Sequence, residues 1–130
     1  MMRTHRIVLV DDHPILRGGL AQLIGDDPTL EVCGEAASVK EATALLEKVH
    51  PDLALVVSGA DPYSKDELPS TSDLQLSLAQ LKERDLLTYN FLKDRDIPRA
   101  YLMAGGYGES CWEVYAQFLE WALLDNLNSH

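Results

Sequence analysis

Three consecutive residues near the start of the chain have side chains that could bind a metal ion. Asp11, Asp12 and His13 follow directly after the apolar run at residues 7–10. Clustered carboxylates at the end of a strand supply the hard oxygen ligands that Mg²⁺ prefers. The spacing of Asp11 and His13 adds an imidazole nitrogen, which suits Zn²⁺. We interpret the acidic pair as solvated or helix-capping carboxylates with at most a vestigial cation site, and a site that binds Mg²⁺ or Zn²⁺ is the alternative.

Two residues further along the chain could also take part in metal or oxyanion chemistry. Asp61 follows the third apolar run, and Tyr107 stands in the sequence Gly-Gly-Tyr-Gly. The carboxyl ends of neighbouring parallel strands meet at one edge of a sheet, so Asp61 could join Asp11 and His13 there and capture Zn²⁺. Tyr107 could donate a hydrogen bond to an oxyanion, but without an activated water it would be a bystander. We therefore expect no obligatory cofactor, and binding of Mg²⁺ or Zn²⁺ is the alternative.

Hydrophobic periodicity predicts the elements that position these residues. Four apolar runs have the length and composition of strands, and the segments between and after them carry apolar residues at helical spacing. The strands are predicted at residues 6–10, 30–33, 53–57 and 100–104. Regular alternation of strands and helices implies parallel pairing with right-handed crossovers. We expect a flavodoxin-like α/β three-layer sandwich, with a four-stranded parallel sheet in the order 2-1-3-4 and helices on both faces.

Local patterns predict where helices begin and which side they bury. Ser38 precedes Glu41 by three residues, and Ser77 precedes Gln80 by the same distance. Both pairs have the spacing of a capping box, so each serine is expected to begin a helix. The first helix is expected to face the sheet with Leu16, Leu20, Leu23 and Ile24.

The composition indicates one domain and restricts its partners. A length of 130 residues suits a single hydrophobic core, so residues 1–130 are predicted to form one domain. Its 11 Lys and Arg residues against 21 Asp and Glu residues give a net charge of −10. Because this charge repels nucleic acid and anionic membranes, we expect neither as a partner.

Other features of the chain predict its compartment and assembly. The two cysteines lie outside any Cys-x-x-Cys pair, and the N-terminal residues have no export signal, which together favour the cytoplasm. The fourth predicted strand contains Tyr101, Leu102 and Met103 and would lie at an edge of the sheet. An apolar edge strand invites pairing with a second copy, so we expect either a homodimer through this edge or an edge that is covered.

The first half of the chain resembles the receiver domain of two-component response regulators. The resemblance is carried by Ile-Val-Leu-Val-Asp-Asp-His-Pro at residues 7–14, Leu-Arg-Gly-Gly-Leu at 16–20 and Val-Cys-Gly-Glu-Ala at 32–36. It implies that Asp11 and Asp12 are the family's acidic pair, which holds Mg²⁺. It also implies that the phospho-accepting aspartate lies six residues after Pro51, where this chain has Val57. Since valine has no nucleophilic oxygen, we expect no phosphorylation by that route.

From about residue 51 onward, the sequence resembles the C-terminal portion of the zinc-dependent histone deacetylase and acetylpolyamine amidohydrolase family. The resemblance is carried by Pro-Asp-Leu at residues 51–53, Ser-Gly-Ala-Asp-Pro at 58–62, Leu-Lys-Glu-Arg-Asp at 81–85 and Gly-Gly-Tyr at 105–107. It implies that Asp61 corresponds to a zinc ligand and Tyr107 to the residue that polarises the scissile carbonyl. The family's paired histidines and its Asp-x-His ligand segment belong to a portion that this chain does not match.

The two resemblances meet near Pro51, and this predicts an engineered chimera. Residues 1–50 would be a receiver-like fragment and residues 51–130 a deacetylase-like fragment, joined on a shared α/β architecture. Each half carries an incomplete set of reacting groups, so the expected protein is not an enzyme and has no native catalytic or phosphotransfer activity. The alternatives are a residual zinc-dependent deacetylase-like hydrolase and an Mg²⁺-binding receiver-like signalling module.

Overall fold

The computed structural model describes residues 3–58, 77–103 and 112–128, in which four strands alternate with four helices. The elements in chain order are β1 (His5–Val10), α1 (Pro14–Gly25), β2 (Leu30–Ala36), α2 (Val39–Lys48), β3 (Leu53–Ser58), α3 (Leu78–Asp94), β4 (Arg99–Met103) and α4 (Trp112–Asn128). No helix in these ranges combines the length and apolar character needed to cross a bilayer. The alternation agrees with the pattern predicted from hydrophobic periodicity.

The four strands form one sheet in the order β2-β1-β3-β4. β1 pairs in parallel with both β2 and β3, and Val10 at its end lies opposite Ala36 and Val56. The predicted flavodoxin-like fold with a four-stranded parallel sheet in the order 2-1-3-4 is confirmed. β4 lies at the end of this sheet, with Leu102 and Met103 exposed. The homodimer through that edge stays a sequence-based prediction.

The chain divides into two compact units. One comprises Met1–Val57 and Thr88–Leu102, and the other comprises Ser58–Leu87 and Met103–His130. The prediction that residues 1–130 form a single domain stays a prediction.

The core of the first unit surrounds β1, which is buried from Ile7 to Val10. Successive side chains of a strand point to opposite faces, so a run of four buried residues requires cover on both sides of the sheet. Val8 and Val10 pack with Leu46 of α2 and with apolar residues of β3 in one cluster. The central position that the sequence predicts for β1 is therefore the observed one.

An irregularity in β2 lets α2 approach the sheet closely. The register between β1 and β2 shifts between Ile7 and Val8, because Val32 pairs with Ile7 and Gly34 pairs with Val8, leaving Cys33 as an extra residue. A Cβ atom at Gly34 would lie 2.8 Å from a methyl carbon of Leu45 on α2. Glycine at this position therefore leaves room for the side chain of Leu45.

Helix α1 buries a different side from the one that its leucines predict. Leu16 and Leu23 are exposed, the latter by 69%. The half-buried residues of the helix are Arg17, Leu20, Ala21 and Ile24. The expectation that all four apolar residues face the sheet is therefore wrong for Leu16 and Leu23. The side chain of Arg17 donates to the backbone carbonyl of Asp11, directly after β1, and to Glu35 on β2, which turns its side of the helix inward.

The serine caps predicted from the sequence are confirmed. The backbone N–H of Glu41 donates to Ser38 Oγ over 3.1 Å, and Glu41 Oε2 accepts from the N–H of Ala37. At α3, Ser77 and Gln80 exchange two hydrogen bonds, each from a backbone N–H to the other's side chain. Two otherwise unpaired donors at each helix start are thereby satisfied.

The second unit contains a polar cluster in which buried Ser58 and Asp85 contact half-buried Arg84. Asp85 Oδ1 accepts hydrogen bonds from Ser58 Oγ at 3.2 Å and from Arg84 Nε at 3.0 Å. Burial raises the pKa of Asp85, and this effect outweighs the opposing attraction of the Arg84 guanidinium and the two hydrogen bonds. In the sequence, Asp85 stands next to one partner, Arg84. The contact with Ser58, which is 27 residues away, comes from the fold.

Truncation of Leu46 is expected to destabilise the first unit strongly. Leu46 is 1% exposed within the main apolar cluster, so Leu46→Ala should lower the free energy of unfolding by about 2–5 kcal/mol. Leu23→Ala removes the same atoms from an exposed site and should change stability by no more than about 0.5 kcal/mol. Urea denaturation followed by circular dichroism measures both changes. Equal losses in the two variants would contradict the assigned core.

The raised pKa of Asp85 predicts a specific pH dependence of stability. The folded protein binds the Asp85 proton more tightly than the unfolded chain does, so stability declines as pH rises from the ordinary value of 3.8 to the folded pKa. Across that pH window the free energy of unfolding of the wild type should fall relative to that of Asp85→Asn. At pH values above the folded pKa the difference between the two should stay constant. Urea denaturation at a series of pH values measures the difference, and Asp94→Asn, an exposed change on the same helix, is the control. A difference between wild type and Asp85→Asn that stays constant with pH would refute this assignment.

Candidate functional site

The end of β1 places Asp11 at the carboxyl edge of the sheet with its backbone still held by β2. The N–H of Asp11 donates to the carbonyl of Ala36 over 2.9 Å, which continues the β1–β2 pairing by one residue. The Asp11 side chain is only 1% exposed. A carboxylate in this position has lost most of its contact with water, so it depends on hydrogen bonds from the protein or on a bound ligand.

One oxygen of the Asp11 carboxylate has a partner and the other does not. Oδ1 accepts a hydrogen bond from the backbone N–H of His13 over 3.0 Å. Oδ2 is buried without a hydrogen-bond partner among the residues that the structure describes. Buried acceptors are satisfied in the great majority of cases, and an exception calls for an explanation such as a bound ion or water.

Asp12 and His13 complete a three-residue cluster with Asp11. His13 Nδ1 lies 2.8 Å from Asp12 Oδ1 and 3.6 Å from Asp11 Oδ1. One ligand atom from each of the three residues lies within 4.8 Å of the others. His13 is also the N-cap residue of α1, although its side chain makes no capping hydrogen bond. The structure therefore brings together three of the four predicted metal ligands, and metal binding itself stays a prediction.

Arg17 and Glu35 lie beside this cluster, and the sequence interpretation did not include them. Arg17 donates from one terminal nitrogen to the backbone carbonyl of Asp11 over 2.7 Å and from Nε to Glu35 Oε1 over 3.2 Å. The group thus contains the carboxylates of Asp11, Asp12 and Glu35 against one guanidinium. The local excess of negative charge favours a cation. Arg17 follows His13 by four residues, or about one helical turn, and this spacing is the sequence signal that could have placed Arg17 beside the cluster.

Val57 occupies the position next to Asp11 on the neighbouring strand. Val10 pairs with Val56, so the residues that follow them, Asp11 and Val57, are side by side at the same edge. The position that the receiver resemblance assigns to the phospho-accepting aspartate therefore has no oxygen in its side chain. Mg²⁺ prefers near-octahedral oxygen coordination and is commonly held by one or two carboxylates together with water. Asp11 and Asp12 supply two carboxylates, and an oxygen of Asp12 lies 2.8 Å from Nδ1 of His13.

Two of the predicted functional residues fall outside the described residues. These are Asp61, proposed as a fourth metal ligand, and Tyr107, proposed as a catalytic remnant. The hypothesis that Asp11, His13 and Asp61 share a Zn²⁺ ion therefore stays a prediction.

Curated relatives of this chain are response regulators. The response regulator VraR of Staphylococcus aureus strain NCTC 8325 is 33% identical over 97 residues, which are 75% of this chain and 44% of VraR. The DNA-binding transcriptional activator DevR/DosR of Mycobacterium tuberculosis is 49% identical over 51 residues, which are 39% of this chain and 24% of that protein. The chain thus spans less than half the length of these relatives. No protein-family model matches the chain.

Solved structures with the same fold are receiver domains. The signal receiver domain of NarL from M. tuberculosis superposes with a TM-score of 0.52 at 21% identity, over 88% of this chain and 78% of that one. The receiver domain of PhyR from Erythrobacter litoralis superposes with a TM-score of 0.50 at 15% identity, over 90% and 91% of the two chains. At these identities the comparison establishes the fold alone.

The prediction of an engineered chimera is wrong. A similarity that covers 97 of 130 residues must run through the predicted junction at Pro51, wherever it is placed on the chain. A natural response regulator therefore matches sequence on both sides of that junction. The same finding overturns the deacetylase-like assignment of the second half, which rested on four short motifs.

The exclusion of nucleic-acid partners is also wrong. DevR/DosR, which shares 49% identity over the matched 51 residues, is named as a DNA-binding activator. Net charge describes the surface of the segment that carries it and does not determine what a whole regulator binds. The N-terminal part of this chain resembles the receiver domains of natural response regulators.

Proposed function

We propose that this chain is a receiver-like signalling module that regulates through protein contacts, without phosphorylation on β3. The single observation that carries the proposal is the pairing of Val10 with Val56, which sets Val57 beside Asp11. The edge keeps the acidic pair of a receiver and has a hydrocarbon side chain where the phosphoryl acceptor would stand. A module of this kind regulates its partner proteins by binding to them and by being released from them.

The relation to named regulators supports transcription as the process that is controlled. VraR is named a response regulator and DevR/DosR a transcriptional activator. From the similarity to these two proteins, we propose that this chain acts within a transcriptional regulator that binds DNA. The chain's net charge of −10 repels the phosphate backbone, so contact with DNA belongs to a more basic surface of the assembled regulator.

The same proposal accommodates the other expectations from the sequence. A regulatory module turns over no substrate, so the chain is proposed not to be an enzyme. Response regulators act on intracellular signals, and we place the module in the cytoplasm. We also keep residues 1–130 as one functional domain.

Phosphoryl uptake from a small donor tests the proposal. Wild-type chain incubated with acetyl phosphate and Mg²⁺ should gain no phosphoryl group, because formation of an aspartyl phosphate needs a carboxylate nucleophile. Val57→Asp supplies that carboxylate beside Asp11 and should acquire one phosphoryl group per chain. Intact-mass spectrometry measures both outcomes.

Val57→Asn is the matched control, since it has the shape of aspartate without its nucleophilic oxygen. It should remain unmodified under the same conditions. Stoichiometric phosphorylation of the wild-type chain would refute the proposal, and peptide mapping would then identify the residue modified.

A further inference from the structure

We infer that the edge of β4 facing away from β3, the outer edge, is a docking site for an extended segment of a partner protein whose single carboxylate pairs with Arg99. The inference rests on the proposed function, in which the module acts through protein contacts, and it names one such contact. Three observations carry it: the position of β4 in the sheet, the direction of the Arg99 backbone, and a guanidinium without a carboxylate partner.

β4 has a single neighbour among the strands that the structure describes. The sheet order places β3 on one side of β4 and no described strand on the other. The N–H of Ala54 on β3 donates to the carbonyl of Pro98 over 2.9 Å. Because successive residues of a strand direct their backbone groups to opposite edges, the N–H and carbonyl of Arg99 point away from β3. An extended segment can pair with these groups as an added strand.

The Arg99 side chain is held over an aromatic ring. Its guanidinium carbon lies 4.3 Å from the centroid of the Tyr89 ring on α3, and one terminal nitrogen donates to the carbonyl of Ile97 over 3.3 Å. Nε is buried and has no hydrogen-bond partner among the described residues. A guanidinium offers five N–H donors, so much of its capacity is left for a partner from outside the described chain. Arg99 as a whole is half-buried, which leaves part of its side chain accessible to such a partner.

The lack of a carboxylate partner distinguishes Arg99 from other arginines of this acidic chain. Four of them lie within 3.9 Å of a carboxylate oxygen, namely Arg3, Arg17, Arg84 and Arg95. Arg99 has no such ion pair with any described residue. A bond between a guanidinium and a carboxylate is among the strong hydrogen bonds of proteins, so charge complementarity favours a carboxylate supplied by the partner.

The net charge of the chain limits how acidic the partner segment can be. At a net charge of −10 the module repels a run of acidic residues. One carboxylate placed opposite Arg99, in a segment that is otherwise uncharged, avoids most of that repulsion. Paired residues on adjacent strands project to the same face of a sheet, so this carboxylate would lie beside the guanidinium.

Leu102 adds an apolar contact on the opposite face. It lies three residues after Arg99 on β4, so its side chain projects from the other face of the sheet, and it is 41% exposed. Apolar residues that alternate with the acidic position of an added strand would face this side. The partner segment is therefore expected to alternate, with polar residues and one carboxylate on one face and apolar residues on the other.

A second copy of β4 does not supply the required carboxylate. The sequence of the strand is Arg-Ala-Tyr-Leu-Met, which contains no acidic residue. Pairing of two copies would satisfy backbone groups of Arg99 and leave its guanidinium without a carboxylate. The occupant is therefore a segment of a different kind, and self-association through β4 is an outcome that the experiment must distinguish.

Fluorescence anisotropy with synthetic peptides tests the inference. The probe is a labelled peptide with blocked ends, Thr-Val-Glu-Val-Thr-Val, and its matched control has Gln in place of Glu. The Glu peptide should bind the wild-type chain at least about fivefold more tightly than the Gln peptide. Arg99→Gln should bind the two peptides equally. Hydrogen exchange is a second readout, because pairing of the Glu peptide with β4 should slow exchange of the Arg99 N–H.

Arg95→Gln is the control variant, because Arg95 also stacks on an aromatic ring, that of Phe91, but already has a carboxylate nearby in Glu47. This variant should keep the preference for the Glu peptide. Circular dichroism confirms that each variant is folded.

Three results would overturn the inference: neither peptide binds, the two peptides bind the wild type equally, or Arg99→Gln keeps the preference. A dimer that protects the Arg99 N–H from exchange and excludes the Glu peptide would also overturn it, because a second copy would then occupy the outer edge. None of these results bears on phosphoryl uptake, which tests the proposed function separately.

Discussion

The arrangement at the carboxyl edge of the sheet depends on the burial of one carboxylate, that of Asp11. A carboxylate removed from water must be compensated locally, and the chain following β1 is shaped by that requirement. The N–H of His13 turns back to Asp11 Oδ1, which sets the start of α1. Arg17 then bonds to the Asp11 carbonyl one turn later, which determines the side of α1 that is turned inward. The first helix is thus oriented by polar contacts as much as by its apolar residues.

The reactive edge and the hydrophobic core are separate in this fold. The core of the first unit is formed by residues such as Val8 and Ala54, which lie before the ends of their strands, and Leu46 of α2. Val57 lies beyond the last paired residues of β1 and β3, and it is only half-buried. A change of residue type there alters the chemistry of the edge with little effect on packing. Under the proposed function, this separation explains how the fold can persist with valine at position 57.

The sequence predicts what is decided locally and fails where distant residues meet. The apolar run of β1 and the serine caps at Ser38 and Ser77 need only neighbouring residues, and they were predicted correctly. The inward side of α1 depends on Glu35, which is 18 residues from Arg17, and Ser58, one of the two partners of Asp85, is 27 residues away from it. Short motifs also misled the interpretation of the second half, because a few glycines and a tyrosine recur in unrelated turns.

The extra residue in β2 has a consequence for the two faces of the sheet. Paired residues on adjacent strands point the same way, so Gly34 shares the side of Val8 and Glu35 shares the side of Leu9. Without Cys33 as an unpaired residue, this phase would be inverted from position 34 onward. Glycine would then no longer face Leu45, and the acidic partner of Arg17 would project from the wrong surface. A single inserted residue therefore reconciles tight helix packing on one side with charge pairing on the other.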